Sequence, residues 1–159
     1  MATLPQLLEE DIQQLDDLLR EYLRSTDALT ALIIDKGGFL ITYQGDSRQF
    51  DLTTIGALAS GAFLANQTIA NLVNEENFDS VYQQGEAVSM FATNIDEHCL
   101  LVVIFRALVG VGVVKYYAST VRERIAAQLS VAQERDPAGG LDLSVLNIAD
   151  TSGLFKRKM

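Results

Sequence analysis

The sequence predicts an α+β domain: a five-stranded, mainly antiparallel sheet with helices packed on it, in the order αββαβββα. Three observations lead there. Segments of helical periodicity alternate with short strand-forming runs, and tight glycine-bearing turns join successive runs, as between antiparallel neighbours. The run Cys99 to Phe105, CLLVVIF, is continuously apolar, so that strand is central and covered on both faces. Leu52 to Asn74 has no charged residue, although charges make up 21% of the chain. A helix that avoids charge all round is buried on more than one side.

The 159 residues suffice for one domain with a substantial core, and 48% hydrophobic content is that of a globular chain. No apolar run is long enough for a bilayer span. The start, Met-Ala-Thr-Leu-Pro and then acidic residues, reads as neither a signal nor a transit peptide. The single Cys99 excludes an intramolecular disulfide framework. A cytoplasmic location is the resulting expectation. The formal net charge of -9 argues against nucleic acid and fits steering toward a basic patch on another protein.

Residues 3 to 24 form an amphipathic helix through Leu8, Ile12, Leu15, Leu19 and Tyr22. Thr3 and Gln6 have capping-box spacing, Pro5 falls in the first turn, and Glu9, Glu10, Asp11, Asp16 and Asp17 make an exposed acidic side. Ala31 to Ile34 and Phe39 to Tyr43 are strands joined by Asp35-Lys36-Gly37-Gly38, a hairpin turn. No GxxxxGK[ST] follows that turn, so it is not read as a phosphate loop.

The central helix starts at Leu52, with Asp51 as cap and Phe50 positioned to staple onto Ile55. Leu52, Ile55, Leu58, Ala59, Ala62, Ile69 and Val73 fall on one side, expected to pack on the sheet. Thr53, Ala57, Ser60, Gly61, Leu64, Thr68 and Asn71 fall on the other, expected to meet a second polypeptide. Gly56 and Gly61 each cost on the order of 1 kcal/mol relative to alanine in a helix, which close approach of another backbone would offset. Asn66 lies on the apolar side and needs partners if buried.

Three strands follow, Asp79 to Gln84, Ala87 to Asn94 and Cys99 to Phe105, with turns at Gly85-Glu86 and Ile95 to His98. The first is short and polar, as an edge strand would be. Ala107 to Gln128 reads as one helix beginning near Leu108, through Val113, Tyr117, Val121, Arg124 and Gln128. Asp136-Pro137-Ala138-Gly139-Gly140 breaks it. The expected division is therefore a domain over residues 1–135 and a C-terminal tail over 136–159. The tail carries Leu141, Leu143, Val145, Leu146, Ile148, Leu154 and Phe155 before Lys156-Arg157-Lys158, and either folds back on the domain or docks elsewhere.

No residue set reads as an active site. His98, the one histidine, sits beside Asp96, Glu97 and Cys99, but consecutive residues of a turn cannot all point at one metal ion. Neighbours on a strand point to opposite faces, which rules against a Cys99–His98 nucleophile pair. Ser60 lies mid-helix, away from any strand-to-helix elbow, and Gly110-Val111-Gly112 is only a fragment of a dinucleotide fingerprint. Neither a metal nor a cofactor is expected, and function is expected to lie in binding.

The order αββαβββα, with ALIIDKGGFLITYQG, LTTIGALASGAFLANQTIANLVN and SVYQQGEAVSMFATNIDEHCLLVVIF, resembles the roadblock/dynein light-chain family over about residues 5 to 130. Its bacterial MglB type is the nearest likeness. The resemblance implies a roadblock/profilin-like fold and a homodimer in which central helices pair and sheets join along an edge strand. Gly61, Leu64, Thr68, Asp79, Val81 and Gln83 would form that seam. It further implies that the paired helices bind one small Ras-like GTPase through Ala57, Ser60, Gly61, Leu64 and Thr68, with Lys115, Arg122 and Arg124 of the last helix as further contacts. Proteins of this type act as GTPase activators with no active site of their own, repositioning the GTPase's catalytic Arg and Gln. Their setting is cell polarity and motility. A dimeric scaffold using the same surface without changing hydrolysis is the alternative. A sensor of the PAS or GAF kind would need an interior pocket, at which Asn66 is the only hint.

Overall fold

A computed structural model describes residues 6–139. The elements follow the expected order: α1 (Glu9–Thr26), β1 (Thr30–Asp35), β2 (Leu40–Gly45), α2 (Leu52–Leu72), β3 (Ser80–Gln83), β4 (Val88–Asn94), β5 (Cys99–Arg106) and α3 (Val111–Gly139). The five strands form one antiparallel sheet in the order β2-β1-β5-β4-β3. β5 lies at its centre, between β1 and β4, and every residue from Cys99 to Phe105 is buried.

The two-residue period of the strands distributes the core between two layers. Ala31, Ile33, Phe91, Leu101, Val103 and Phe105 point to one face and pack with Leu15, Leu19 and Tyr22 of α1 and Val114, Val121 and Ile125 of α3. Leu32, Ile34, Ala92, Leu100, Val102 and Ile104 point to the other and pack with Leu52, Ala59 and Phe63 of α2. The α2 side thus has one helix and the opposite side two. α1 and α3 run antiparallel, with the Tyr22 hydroxyl donating to the Val114 carbonyl at 2.9 Å.

Several local expectations need correction. α1 begins at Glu9, so Gln6 precedes the helix, and the cap assigned to Thr3 with Pro5 lies outside the described residues. Asp11, expected on the exposed acidic side, is fully buried. Its carboxylate accepts from the Leu8 N–H at 2.8 Å, closing the first turn. It also accepts from both Arg135 Nη atoms, at 2.9 and 2.8 Å, and from Gln128 Nε2 at 2.9 Å. The reason is tertiary: the end of α3 passes over the start of α1 and brings its own donors. The α3 boundaries move as well. Ala107–Val109 is a short 3-10 turn, and Gly110 has a φ of 85°, so the α-helix proper starts at Val111 rather than near Leu108. It then runs past Asp136-Pro137, the expected break, to Gly139. The tail beyond lies outside the described residues.

The Asp51 cap is present, its carboxylate accepting from the Thr54 N–H at 3.2 Å. Phe50 and Ile55 pack on the same cluster under α2, as the staple requires.

The Arg135 hydrogen bonds hold the Asp11 carboxyl down, from 3.8 to about 2. A depressed carboxyl contributes stability above its unfolded value and loses it as pH falls through the folded one. Asp11→Asn is therefore expected to cost about 2 kcal/mol near neutral pH. The deficit against the parent, read by urea unfolding, should shrink as pH is lowered from about 5 toward 2.

Candidate functional site

α2 is the element with a face to spare. Leu52, Gly56, Ala59, Ser60, Phe63 and Ala70 are its buried residues, and all lie on one side of the rod. Phe63 anchors the helix, its ring 4.9 Å from that of Phe78. Gly56 sits where the sheet comes closest, and a Cβ there would be 3.2 Å from Ile34 Cγ2. The Ser60 hydroxyl donates to the Lys36 carbonyl at 2.6 Å, fastening α2 to the β1–β2 turn.

This seat lies about a quarter-turn round the helix from the expected one. Leu58, Ala62, Ile69 and Val73, expected against the sheet, are exposed. Ser60, expected to face a partner, is buried against the protein's own hairpin turn. Close packing beneath the helix favours small residues there, with Phe63 filling the one deep space. Gly56 is therefore matched by β1, whereas Gly61 has nothing among the described residues within 4 Å of a Cβ built on it. Asn66 is not a core residue either: its Nδ2 donates to the Ala62 carbonyl one turn back, at 2.8 Å.

Ala57, Gly61, Leu64 and Thr68 all face outward. Beside them stand Leu58, 68% exposed, Ile69, 56%, and Leu72, 77%, which the sequence reading had not placed at this surface. The signal for them was the absence of charge over the whole stretch rather than its periodicity. A continuous run of exposed aliphatic groups with no charge among them is the character of a protein-binding surface, not of a solvated one.

β3 borders this surface. It pairs with β4, and its other edge is unpaired among the described residues. Val81 packs into the cluster beneath α2, and Gln83 is exposed. Asp79, just before the strand, instead reaches the other layer and binds Arg122 of α3. Arg122 also donates to Thr93 Oγ1 at 3.0 Å and to the Asn94 carbonyl at 3.2 Å. Arg124 pairs with Glu21 of α1 at 3.4 Å, and Lys115 lies 6.0 Å from the centre of the Phe91 ring. Lys115, Arg122 and Arg124 are thus on the opposite face of the sheet from Ala57, Gly61, Leu64 and Thr68. Within one protomer the two groups do not converge.

The turn around His98 is polar and structural. Asp96 Oδ1 accepts from the backbone N–H groups of His98 and Cys99, at 2.8 and 2.9 Å. Burial, with the nearby Asp96 and Asp35 adding to it, pushes the Cys99 thiol up to about 12, far from a reactive thiolate. Among the described residues no three His, Cys, Asp or Glu side chains gather as a metal site, and no helix is long and apolar enough to cross a membrane.

Among the described residues, a sheet covered by two helices on one face carries on the other an exposed, uncharged helix beside an unpaired strand edge, the arrangement of an interaction domain. The chain belongs to the Roadblock/LC7 domain family, whose sequence pattern matches residues 14–105. It is similar to an MglB structure described as having a tetrameric arrangement, at 27% identity and a TM-score of 0.76, covering 83% of this chain and 99% of that one. It is likewise similar to the gliding protein MglB from Thermus thermophilus, at 28% identity and a TM-score of 0.74, over 82% and 98% of the two chains. Myxococcus xanthus MglB shares the fold at 22% identity, with a TM-score of 0.73 over 80% and 96%. No curated protein matches.

The two α2 glycines should respond oppositely to the same change. Gly56→Leu, driven into Ile34, is expected to destabilise the fold by about 1–3 kcal/mol. Gly61→Leu points into open space and should gain roughly 0.5–1 kcal/mol from helix propensity. Urea unfolding at concentrations too low for self-association separates the two.

Proposed function

We propose that this chain is a homodimeric regulator of a small Ras-like GTPase. The observation that carries the reading is the outward face of α2: uncharged, lined by Leu58, Gly61, Leu64, Ile69 and Leu72, and flanked by an edge of β3 that is unpaired among the described residues. Two copies pack these helices side by side around Gly61, where the missing side chain lets the backbones approach. Thr68 and Leu64 extend the contact along the rod. The β3 strands, with Val81 and Gln83, join the two sheets into one. Asp79 stands at the start of that strand and fixes it to α3.

The GTPase sits across the paired helices and contacts Ala57 and the aliphatic flank. The regulator offers no catalytic group to the transferring phosphoryl. Hydrolysis is accelerated by holding the GTPase's own Arg and Gln in place. One observation supports that division of labour. Arg122 and Arg124 are engaged by Asp79 and Glu21 of their own chain, on the far side of the sheet. In this reading both support the scaffold rather than contact the GTPase directly. The net charge of -9 favours encounter with a basic surface on the partner. The protein would act in the cytoplasm, in a process related to polarity or motility like that of the gliding protein it resembles.

The test is phosphate release from the Ras-like GTPase encoded nearest to this chain, with and without the protein. Acceleration supports the reading. Binding with unchanged hydrolysis replaces it with a dimeric scaffold on the same surface, and no binding to any such GTPase refutes both. Gly61→Arg is expected to keep its fold, since the position is open among the described residues, but to sediment as a monomer and lose the acceleration. A variant that remains dimeric and fully active would show that the outward face of α2 is not the seam.

A further inference from the structure

On the α3 side of the sheet, beside β3, a recess of about 180 Å³ lies between α3 and the strands. Lys115, Ser119 and Arg122 line it from the helix, and Ser80, Phe91 and Thr93 from the sheet, with Asp79 at its edge. Lys115 and Arg122 are seven residues apart, so they share one face of α3, with Ser119 between them. This concentrates two cations and three hydroxyls in a chain that is acidic overall.

The two cations differ in state. Arg122 is pre-set: its Nη1 donates to Asp79, Thr93 and the Asn94 carbonyl. The two protons of Nη1 are shared among these three acceptors, which holds the guanidinium in place, while Nη2 and Nε make no hydrogen bond among the described residues. Lys115 has no carboxylate within salt-bridge distance among the described residues. Its neighbour is the buried Phe91 ring, 6.0 Å from Nζ to centroid. Ser119 spends its proton on the Tyr116 carbonyl at 2.8 Å. Ser80 makes no side-chain hydrogen bond to the described residues. Against an anion stands Asp79, which neutralises Arg122 and leaves a net charge of about +1 from Lys115.

We propose that this recess binds an oxyanion of the phosphate class, either inorganic phosphate or the phosphate group of a small phosphate ester. Lys115 supplies the unpaired charge, Arg122 a pre-oriented donor fork, and Ser80 a hydroxyl donor. A carboxylate ligand would use only one side of such a cluster, whereas a tetrahedral group can accept from both helix and sheet at once. Asp79 limits the affinity and so sets its sign of response to mutation. The inference is independent of the GTPase reading, because it concerns the other face of the sheet.

The experiment is an amide NMR titration of the full chain with inorganic phosphate and, separately, phenyl phosphate, against sodium chloride at matched ionic strength and pH. Saturable shifts are expected at Ser80, Thr93 and Lys115 to Arg122. Preference for the free ion or for the ester identifies the source of the phosphate, and either supports the site. Lys115→Met, an exposed position, should fold normally and weaken binding at least about tenfold. Asp79→Asn should tighten it, because the opposing charge is gone. Shifts no larger than those with chloride would overturn the proposal, as would a Lys115→Met protein that binds as well as the parent. Loss of binding in Asp79→Asn, with the fold intact, would equally refute the charge balance on which it rests.

Discussion

The structure depends on one strand that cannot tolerate water on either side. β5 supplies seven consecutive buried residues from Cys99 to Phe105, and it pairs with β1 over Cys99–Ile104 and with β4 over Leu100–Arg106. A strand of that composition has to be covered twice. Its alternation sends Leu101, Val103 and Phe105 to the α1–α3 layer and Leu100, Val102 and Ile104 to α2. The three-layer architecture follows from this requirement. Each cover then has its own character, because one is built from two helices and the other from one.

The two-helix layer is closed by polar links as well as apolar packing. Asp11 binds Arg135, Glu21 binds Arg124, and Asp79 binds Arg122 across to the sheet. These contacts use up carboxylates and guanidinium groups that would otherwise stand free, and Asp11 in particular is buried only because its donors come with it. The single-helix layer has none of this. α2 has no charged residue, and its exposed polar groups, such as Thr53, Thr54, Gln67 and Asn71, are all uncharged. The asymmetry gives the domain one face tied together by polar links and one whose outward helix surface is uncharged and exposed among the described residues.

The order of elements, the central position of β5, the edge position of β3 and the Asp51 cap were legible from the chain because each rests on local or strictly periodic signals. The sheet-facing side of α2 was not. Periodicity locates a buried face by contrast with a polar one, and α2 offers no contrast: leucines and isoleucines lie on both sides. The sheet selected the small residues Gly56, Ala59 and Ser60, which let the helix sit close, and left Leu58 and Ile69 outside. Asp11 was misplaced for a related reason. Its exposure follows from the helix alone, and its burial from donors at positions 128 and 135 that no local pattern connects to it. The candidate site was legible as an element, the uncharged helix, but not as a side of that element.

Ser60 and Gly61 condense the point. They are adjacent in sequence and about 100° apart around the helix. Ser60 turns inward and gives its hydroxyl to the Lys36 carbonyl, whereas Gly61 turns outward into open space. Both are small, and both would be read from the sequence as marks of close packing. They lie on different sides, since Ser60 and Gly56 fit the helix to its own hairpin and Gly61 meets nothing among the described residues. A small residue in a buried helix therefore reports that a backbone comes close without saying whose. The answer lies in the neighbouring atoms: a Cβ at Gly56 would meet Ile34, so the close approach there is to the protein's own sheet, whereas one at Gly61 would meet nothing among the described residues.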